Sequence, residues 1–414
     1  MNKIINTHFE LLYKNIDYGE ININKELYRG ELYCELLKNF TKSCLNNFDE
    51  VIFSHKKNYT RTITNMLASW FFTLYQTNDF SFDAFFPHNY HNNDIIIRTL
   101  TDYCSIHNIV NIDTKIKNII NNLYSSYELL LEKLTNYTHK TSIIKIQKHE
   151  VSQKRNNNNI LFYNFSIINN TTNICNKLNN IINNIMIPIE QYDAMKNRYN
   201  GEEDMMDTLI WIILFRYQLL SSNNNQLAVL PSIYKKMEQD FCLSVECFAS
   251  AINTSSNYFC SLYYDVEKYF GSIGNFFNII PTRGTFSFNP PYQYDIISNG
   301  VHKLIKHLEE TTEKLTFIIT IPIWDNMGKQ IMANNLMENN NNLINYDDFE
   351  IMNVIRNSIY FKGLRMISKD DFTYMDHNFY LFKNKTIQNT YVIVMSNYDC
   401  SYINQINSYN FYMH

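Results

Sequence analysis

The chain has 414 residues, enough for two or three domains or for one enzyme core with a large appendage. Its 45% hydrophobic content marks a globular protein and excludes a disordered one, and its aromatics are 31 Tyr and 28 Phe against only 9 Gly and 7 Pro. A formal net charge of −4 excludes the global basic field that advertises nucleic-acid binding, leaving room only for a local basic pocket.

The N-terminal residues Met1-Asn2-Lys3-Ile4-Ile5-Asn6 lack the apolar core of a signal peptide. Residues 1 to about 140 carry helical periodicity, with apolar residues three and four apart in 31–37, 63–74 and 116–134. Ahead of the second of these lies the densest basic patch in this half, with Lys56, Lys57 and Arg61 around Tyr59. A solvated helix start explains it, and so does a phosphate or cap contact, since Lys and Arg pair with phosphate beside a stacking ring. Residues 142–147 and 160–167 read as two strands joined by a polar loop, and the Asn-rich tract that follows to about 185 reads as helix.

From Asp204 onward the pattern changes. A helix over 205–220, whose apolar run Leu209–Phe215 is too short to span a bilayer, is followed by another over 230–241. Next come a buried strand, 243–250, a helix over 258–264 and a loop over 269–274. A strand ending at Asn289, a helix over 296–308 and a strand over 315–321 follow, and 334–345 reads as a surface loop. Two strands, 379–382 and 390–395, are expected to close the sheet as a hairpin. Such strand–helix alternation predicts an α/β doubly wound sheet with a reversed edge over 204–414, preceded by a mainly helical domain over 1–203 with a small hairpin near 142–168. The cysteines, Cys34, Cys44, Cys104, Cys175, Cys242, Cys247, Cys260 and Cys400, show no metal-ligand spacing and read as reduced thiols of a soluble intracellular protein with no bound metal and no membrane contact.

The most informative stretch is Phe286-Ser287-Phe288-Asn289-Pro290-Pro291-Tyr292. A short buried strand ends on an Asn, two prolines that continue neither sheet nor helix, and an aromatic ring. A turn between packed elements is one account of it. The other is chemical: the Asn289 side-chain oxygen and the Pro290 carbonyl can hold the two hydrogens of an adenine N6 amine, while Tyr292 stacks on the base for about 1–3 kcal/mol. Alkylating that poor nucleophile needs positioning more than a general base. The strand ends Ala249-Ser250, Asn289–Tyr292 and Pro322-Ile323-Trp324 are all expected to face one crevice. A nucleotide-like donor would lie against Ala249, Ser250 and Asn253, where small side chains stand in for the usual glycines. Phe270-Gly271-Ser272-Ile273-Gly274 offers a second tight, backbone-exposing turn, with Phe270, Gly271 and Ser272 as cofactor candidates, and Glu246, Asp265 and Glu267 are candidates for ribose or ammonium contacts.

In this order, Leu243–Ser250 with Phe248 and Asn253, Tyr269–Ser272, Asn289–Tyr292, Phe317–Trp324 and Asn389-Thr390 resemble the cap-specific adenosine N6-methyltransferases of the phosphorylated-CTD-interacting-factor family. The resemblance covers about 205–397. It implies a Rossmann-like class I methyltransferase sheet, S-adenosylmethionine as cofactor, and methyl transfer to N6 of the 2′-O-methyladenosine that begins a capped mRNA, with the capped 5′ end as partner. It carries the amine-binding role onto Asn289, Pro290, Pro291 and Tyr292, and a substrate contact onto Trp324, with Asp325, Tyr294 and Asp295 beside it. Tyr294 stands where the family's acidic residue is expected, with Asp295 next, and Asp325-Asn326-Met327 replaces a Pro-rich turn. Trp70, Trp211 and Trp324 are the only tryptophans, which predicts no WW module and no binding of polymerase tails through one. The resemblance implies a nuclear location, or a cytoplasmic one if the source is a cytoplasmic virus or parasite. A DNA or internal-RNA adenine N6-methyltransferase, or a degenerate scaffold that binds caps without turnover, remain alternatives.

Overall fold

The computed structural model describes residues 2–13, 19, 21–48, 56–77, 83–88, 90, 94–106, 109–138, 144–155, 158–168, 175–220, 226–323, 350–377, 383–385 and 389–408. The chain is mixed α/β and divides into two compact units, one of Met1–Ile16 with Asn224–His414 and the other of Asp17–Asn223. The expected division at 203/204 therefore differs from the observed one at both ends of the helical part. The N-terminal strands β1 (Asn2–Ile5) and β2 (Glu10–Tyr13) pair with each other and belong to the larger sheet.

The Asp17–Asn223 unit contains α1 (Ile23–Asn47), α2 (Lys56–Thr77), α3 (Asp94–Ile106) and α4 (Ile112–Thr135). They are followed by the long hairpin β3 (Lys145–Arg155) and β4 (Asn158–Ile168), then α5 (Asn176–Ile182), β5 (Ile185–Pro188), α6 (Ile189–Arg198) and α7 (Met206–Leu219). The strands form a three-stranded antiparallel sheet, and the hairpin expected near 142–168 is present with longer strands, which run to within two residues of each other. A buried ionic cluster fixes α7 to α1. Arg216 donates from Nε and Nη2 to Glu26 at 2.9 and 2.7 Å, while Arg29 bonds both Glu26 and Asp83. Burial opposes the Glu26 charge, but Arg216 and Arg29 outweigh it and hold the carboxyl below its usual range. Because of this cluster, the helix expected to open the enzymatic domain is part of the helical unit.

The other unit continues with β6 (Leu227–Val229), α8 (Pro231–Phe241), β7 (Leu243–Glu246), α9 (Tyr264–Glu267), β8 (Ile280–Phe288), α10 (Tyr294–Glu310) and β9 (Leu315–Pro322). After these come α11 (Glu350–Asn357), β10 (Phe361–Ile367), β11 (Tyr374–Asp376), β12 (Lys383–Lys385), β13 (Thr390–Ser396) and α12 (Tyr402–Ser408). β7, β8 and β9 are parallel neighbours; β13 lies antiparallel between β9 and β10. Single parallel bridges extend the sheet beyond β7, from Glu246 to Phe259 and from Phe259 to Ser272. Residues expected to be helical at 258–260 are therefore extended, because their backbone bonds go to Glu246 and to residues 271–274. The reversed strand β13 is where the sequence placed it, but its outer neighbour is β10, and the expected strand 379–382 lies outside the described residues, as does the loop 334–345.

β8 serves two partners along one edge. Its first half pairs antiparallel with β2 and its second half parallel with β7. The change falls at Gly284, whose φ is +117 and whose added Cβ would lie 2.7 Å from both the His8 carbonyl oxygen and Phe9 Cβ. Phe9, buried against Tyr258 and Phe286, seals that corner of the core.

Two substitutions test this account by urea unfolding of the full chain. Gly284→Ala should lose about 1–3 kcal/mol to backbone strain and a similar amount to overpacking. Arg216→Ala should cost about 3–5 kcal/mol by leaving part of the Glu26 charge uncompensated in the interior.

Candidate functional site

The order of parallel segments in the larger sheet locates the site. Successive segments 243–246, 258–260 and 271–273 add on one side, after which the chain returns to lay β8 on the other side of β7. The carboxyl ends of β7 and β8 flank this reversal, the place where open α/β sheets bind ligands. A hydrogen bond from the Cys247 amide to the Ser287 carbonyl, 2.8 Å, holds these ends side by side. Ala249-Ser250 and Asn289-Pro290-Pro291-Tyr292 follow directly on these paired ends.

Around Asn289 the chain turns sharply: the Gln293 amide donates to the Pro291 carbonyl at 2.7 Å, and α10 starts from Gln293. Pro290 is buried, while Asn289, Pro291 and Tyr292 are half-buried. The Tyr292 hydroxyl lies 3.5 Å from Asn289 Oδ1. Burial pushes the Tyr292 phenol well above its usual value, and Tyr374 beside it adds to the shift. Beneath the turn, Phe248, Phe276 and Phe288 meet edge to face or tilted at 5.1–5.4 Å, and α10 comes close at Gly300, where a Cβ would lie 2.5 Å from the Phe288 ring. Apolar packing under a polar rim holds the Asn289 turn in place.

The loop after β7 solves the shortage of glycine with side chains. Asn253 Oδ1 accepts from the Ser250 amide at 2.7 Å, the Ser250 hydroxyl reaches Gln226 Oε1 at 3.0 Å, and the Asn253 and Thr254 amides donate back to the Ser250 carbonyl. Fully buried Glu267 accepts from the Ala251 amide with one oxygen and from the Tyr263 amide with the other. Glu246 Oε1 takes three donors, Thr254 Oγ1 and the Ser255 and Ser256 amides, at 2.7–2.9 Å. Ser250, Asn253, Glu246 and Glu267 therefore build the loop, and Phe248 and Ala249 are half-exposed at its start.

The residues of the second turn divide between packed and open positions. Phe270 is buried in the core, Gly271 sits against the Asn257 carbonyl, and the Ser272 hydroxyl bonds Ser261 at 2.7 Å. Three residues on, Gly274 is buried, yet a Cβ built on it would meet nothing within 4 Å. The open room at this turn is at Gly274.

Of the expected substrate contacts, Trp324 and Asp325 lie outside the described residues, as do the side chains of Tyr294, Lys56 and Lys57. Asp295 is half-buried in the first turn of α10, and Arg61 is exposed on α2 of the helical unit. Sequence reasoning missed Gln226 and Tyr374, and gave Thr390 no role beyond its place in a resembling motif. Tyr374 packs on Tyr292 with ring centroids 5.9 Å apart and bonds Thr390 Oγ1 at 3.1 Å. The Tyr-Met-Asp strand carrying Tyr374 is three residues long, too short for periodicity to mark it.

Residues 189–376 match the model of the family described as phosphorylated CTD interacting factor 1 WW domain. The chain is similar to two mRNA (2′-O-methyladenosine-N6-)-methyltransferases. The mouse protein is 32% identical and the human protein 31% identical over 121 residues, which make up 28% of this chain. The matched stretch spans 17% of each relative's length. The family description names a WW domain, against the expectation that no such module, and no tail binding through it, is present. No helix among the described residues is long and apolar enough to cross a membrane.

The role of Glu246 is testable. Glu246→Ala should remove about 1–3 kcal/mol of stability by orphaning two loop amides, with faster hydrogen exchange at Ser255 and Ser256; a pure ligand contact would leave both unchanged in the ligand-free protein.

Proposed function

We propose that the unit containing Asn224–His414 is an S-adenosylmethionine-dependent methyltransferase that methylates N6 of the adenosine beginning a capped mRNA. The observation that carries this reading is the placement of Asn289 and Tyr292 at the carboxyl end of β8, beside the end of β7, at the reversal of strand order. A Rossmann-like class I sheet is supported by the parallel β7, β8 and β9 with the reversed β13 next to the edge strand β10. The similarity to mouse and human cap methyltransferases supports the substrate.

In this reading the Asn289 Oδ1 and the Pro290 carbonyl accept the two N6 hydrogens, so the lone pair of the amine turns out of the ring plane. Tyr292 lies against the base and excludes water from one face. The residues fit the cofactor in the room beside Gly274 and against Phe248 and Ala249, where backbone and ring surface are open. S-adenosylmethionine, when bound, supplies a methyl on sulfonium sulfur and leaves as a thioether with the electron pair of the broken bond. No charged base faces the amine among the residues of the turn; orientation supplies the acceleration. Trp324, Asp325, Tyr294 and Asp295 are proposed to line the substrate side, and Lys56, Lys57 and Arg61 to meet cap phosphates. The helical unit is proposed as an accessory to cap binding, and the location as nuclear, in line with the polymerase-tail family that the chain matches.

The test is methyl transfer to capped, adenosine-initiated RNA, followed by mass spectrometry. Wild-type protein should methylate it and leave uncapped RNA and DNA nearly untouched; equal rates on all three would overturn the cap reading. Asn289→Ala should lower turnover by about 10²–10³, the loss typical of one polar group that acts on the transition state, with thermal stability retained.

A further inference from the structure

Gln226 is bonded to two different parts of the fold. Its carbonyl accepts from the His377 amide at 3.0 Å, at the end of a ladder in which Leu227 faces Asp376, Ala228 faces Met375 and Val229 faces Tyr374. Its side chain leaves that ladder, and Oε1 accepts from the Ser250 hydroxyl at 3.0 Å, in the loop after β7. Both side chains are buried, so the bond is shielded from water. Three residues back from His377, about 10 Å at the rise of a strand, Tyr374 packs edge to face on Tyr292 with ring centroids 5.9 Å apart. Tyr292 rests on the same buried core as Leu227 and Val229. The paired strands β6 and β11 therefore touch the loop after β7 at one end and the base-holding turn at the other.

The loop after β7 is closed by its own residues without Gln226. Asn253 Oδ1 accepts from the Ser250 amide at 2.7 Å and lies 3.1 Å from the Ser250 hydroxyl. The Ser250 carbonyl accepts the Asn253 and Thr254 amides, and Glu267 accepts the Ala251 amide at 2.7 Å. Those bonds all stay within residues 250–267 and give the loop its shape. The Gln226 bond is of another kind, because it ties the loop to a strand pair outside it, the pair that backs Tyr292.

Transfer of a methyl group requires donor and amine in line, and a misplacement of about 1 Å costs on the order of a hundredfold in rate. We infer that Gln226 is a positioning residue for methyl transfer: acting through Ser250, it holds the loop that faces the donor in register with the strand that backs Tyr292. This deepens the function proposed above and rests on it.

Four proteins decide the matter: wild type, Gln226→Met, Ser250→Ala and the double variant. Each is assayed for kcat on capped, adenosine-initiated RNA at saturating donor, for the Kd of S-adenosylhomocysteine by calorimetry, and for its thermal midpoint. Gln226→Met keeps the length of the side chain and removes the amide oxygen. The Ser250 hydroxyl then turns to Asn253 and the loop keeps its closure, so donor affinity should stay near that of wild type while kcat falls about ten- to a hundredfold. Ser250→Ala should reproduce that split, and the double variant should lose no more than the weaker of the two single ones, because both substitutions delete the same bond. An unchanged kcat in Gln226→Met, a loss confined to donor affinity, or losses that add in the double variant overturn the inference and leave the proposed function standing. A wild-type protein that methylates no capped RNA overturns both. Where the thermal midpoint shows Gln226→Met unfolded, Ser250→Ala decides by the same split between kcat and Kd.

Discussion

One backbone hydrogen bond, from Cys247 to Ser287, expresses the constraint on which the larger unit depends: β7 and β8 must run parallel and end together. Parallel neighbours cannot be joined by a tight turn, so the chain between them leaves the sheet, adds the short segments at 258–260 and 271–273, and returns. That excursion creates the reversal of strand order, and Asn289 stands at the carboxyl end of β8 beside it. The N-terminal hairpin secures the opposite half of β8, and Gly284 permits the close crossing.

The loop following β7 shows how a glycine-poor chain builds a tight turn. A glycine loop obtains its shape from backbone freedom; here Asn253, Ser250, Gln226, Glu246 and Glu267 impose it with side-chain acceptors on backbone amides. A buried carboxylate is costly unless its oxygens are bonded, and fully buried Glu267, like half-buried Glu246, is bonded to loop donors. The acidic residues that invite assignment as ligand contacts are occupied with the loop's own architecture. Phe248 stays half-exposed, and Gly274 keeps open room beside its backbone.

A similar division holds in the helical unit. Glu26 and Asp83 face Arg29 and Arg216 in a cluster cut off from water, and each charge is tolerable because its partners are fixed by three separate helices or loops. This cluster claims α7 for the helical unit, although its apolar sequence reads equally well as the start of a sheet domain.

Local chemistry made several features legible in the sequence alone. The amphipathic helices α1, α2 and α4 announce themselves by period, the strands β8, β9 and β13 by apolar runs, and the Asn-Pro-Pro-Tyr turn by prolines that end both kinds of element. Each depends on neighbours within a few residues. The tertiary structure decided the rest: the edge partner of β13, the capture of the N-terminal strands by β8, the division of the chain inside what looked like one enzymatic half, and the contact of Tyr374 with Tyr292. Those outcomes join residues far apart in the chain through single hydrogen bonds, ring contacts and close approaches, and such pairings leave no periodic trace in the order of amino acids.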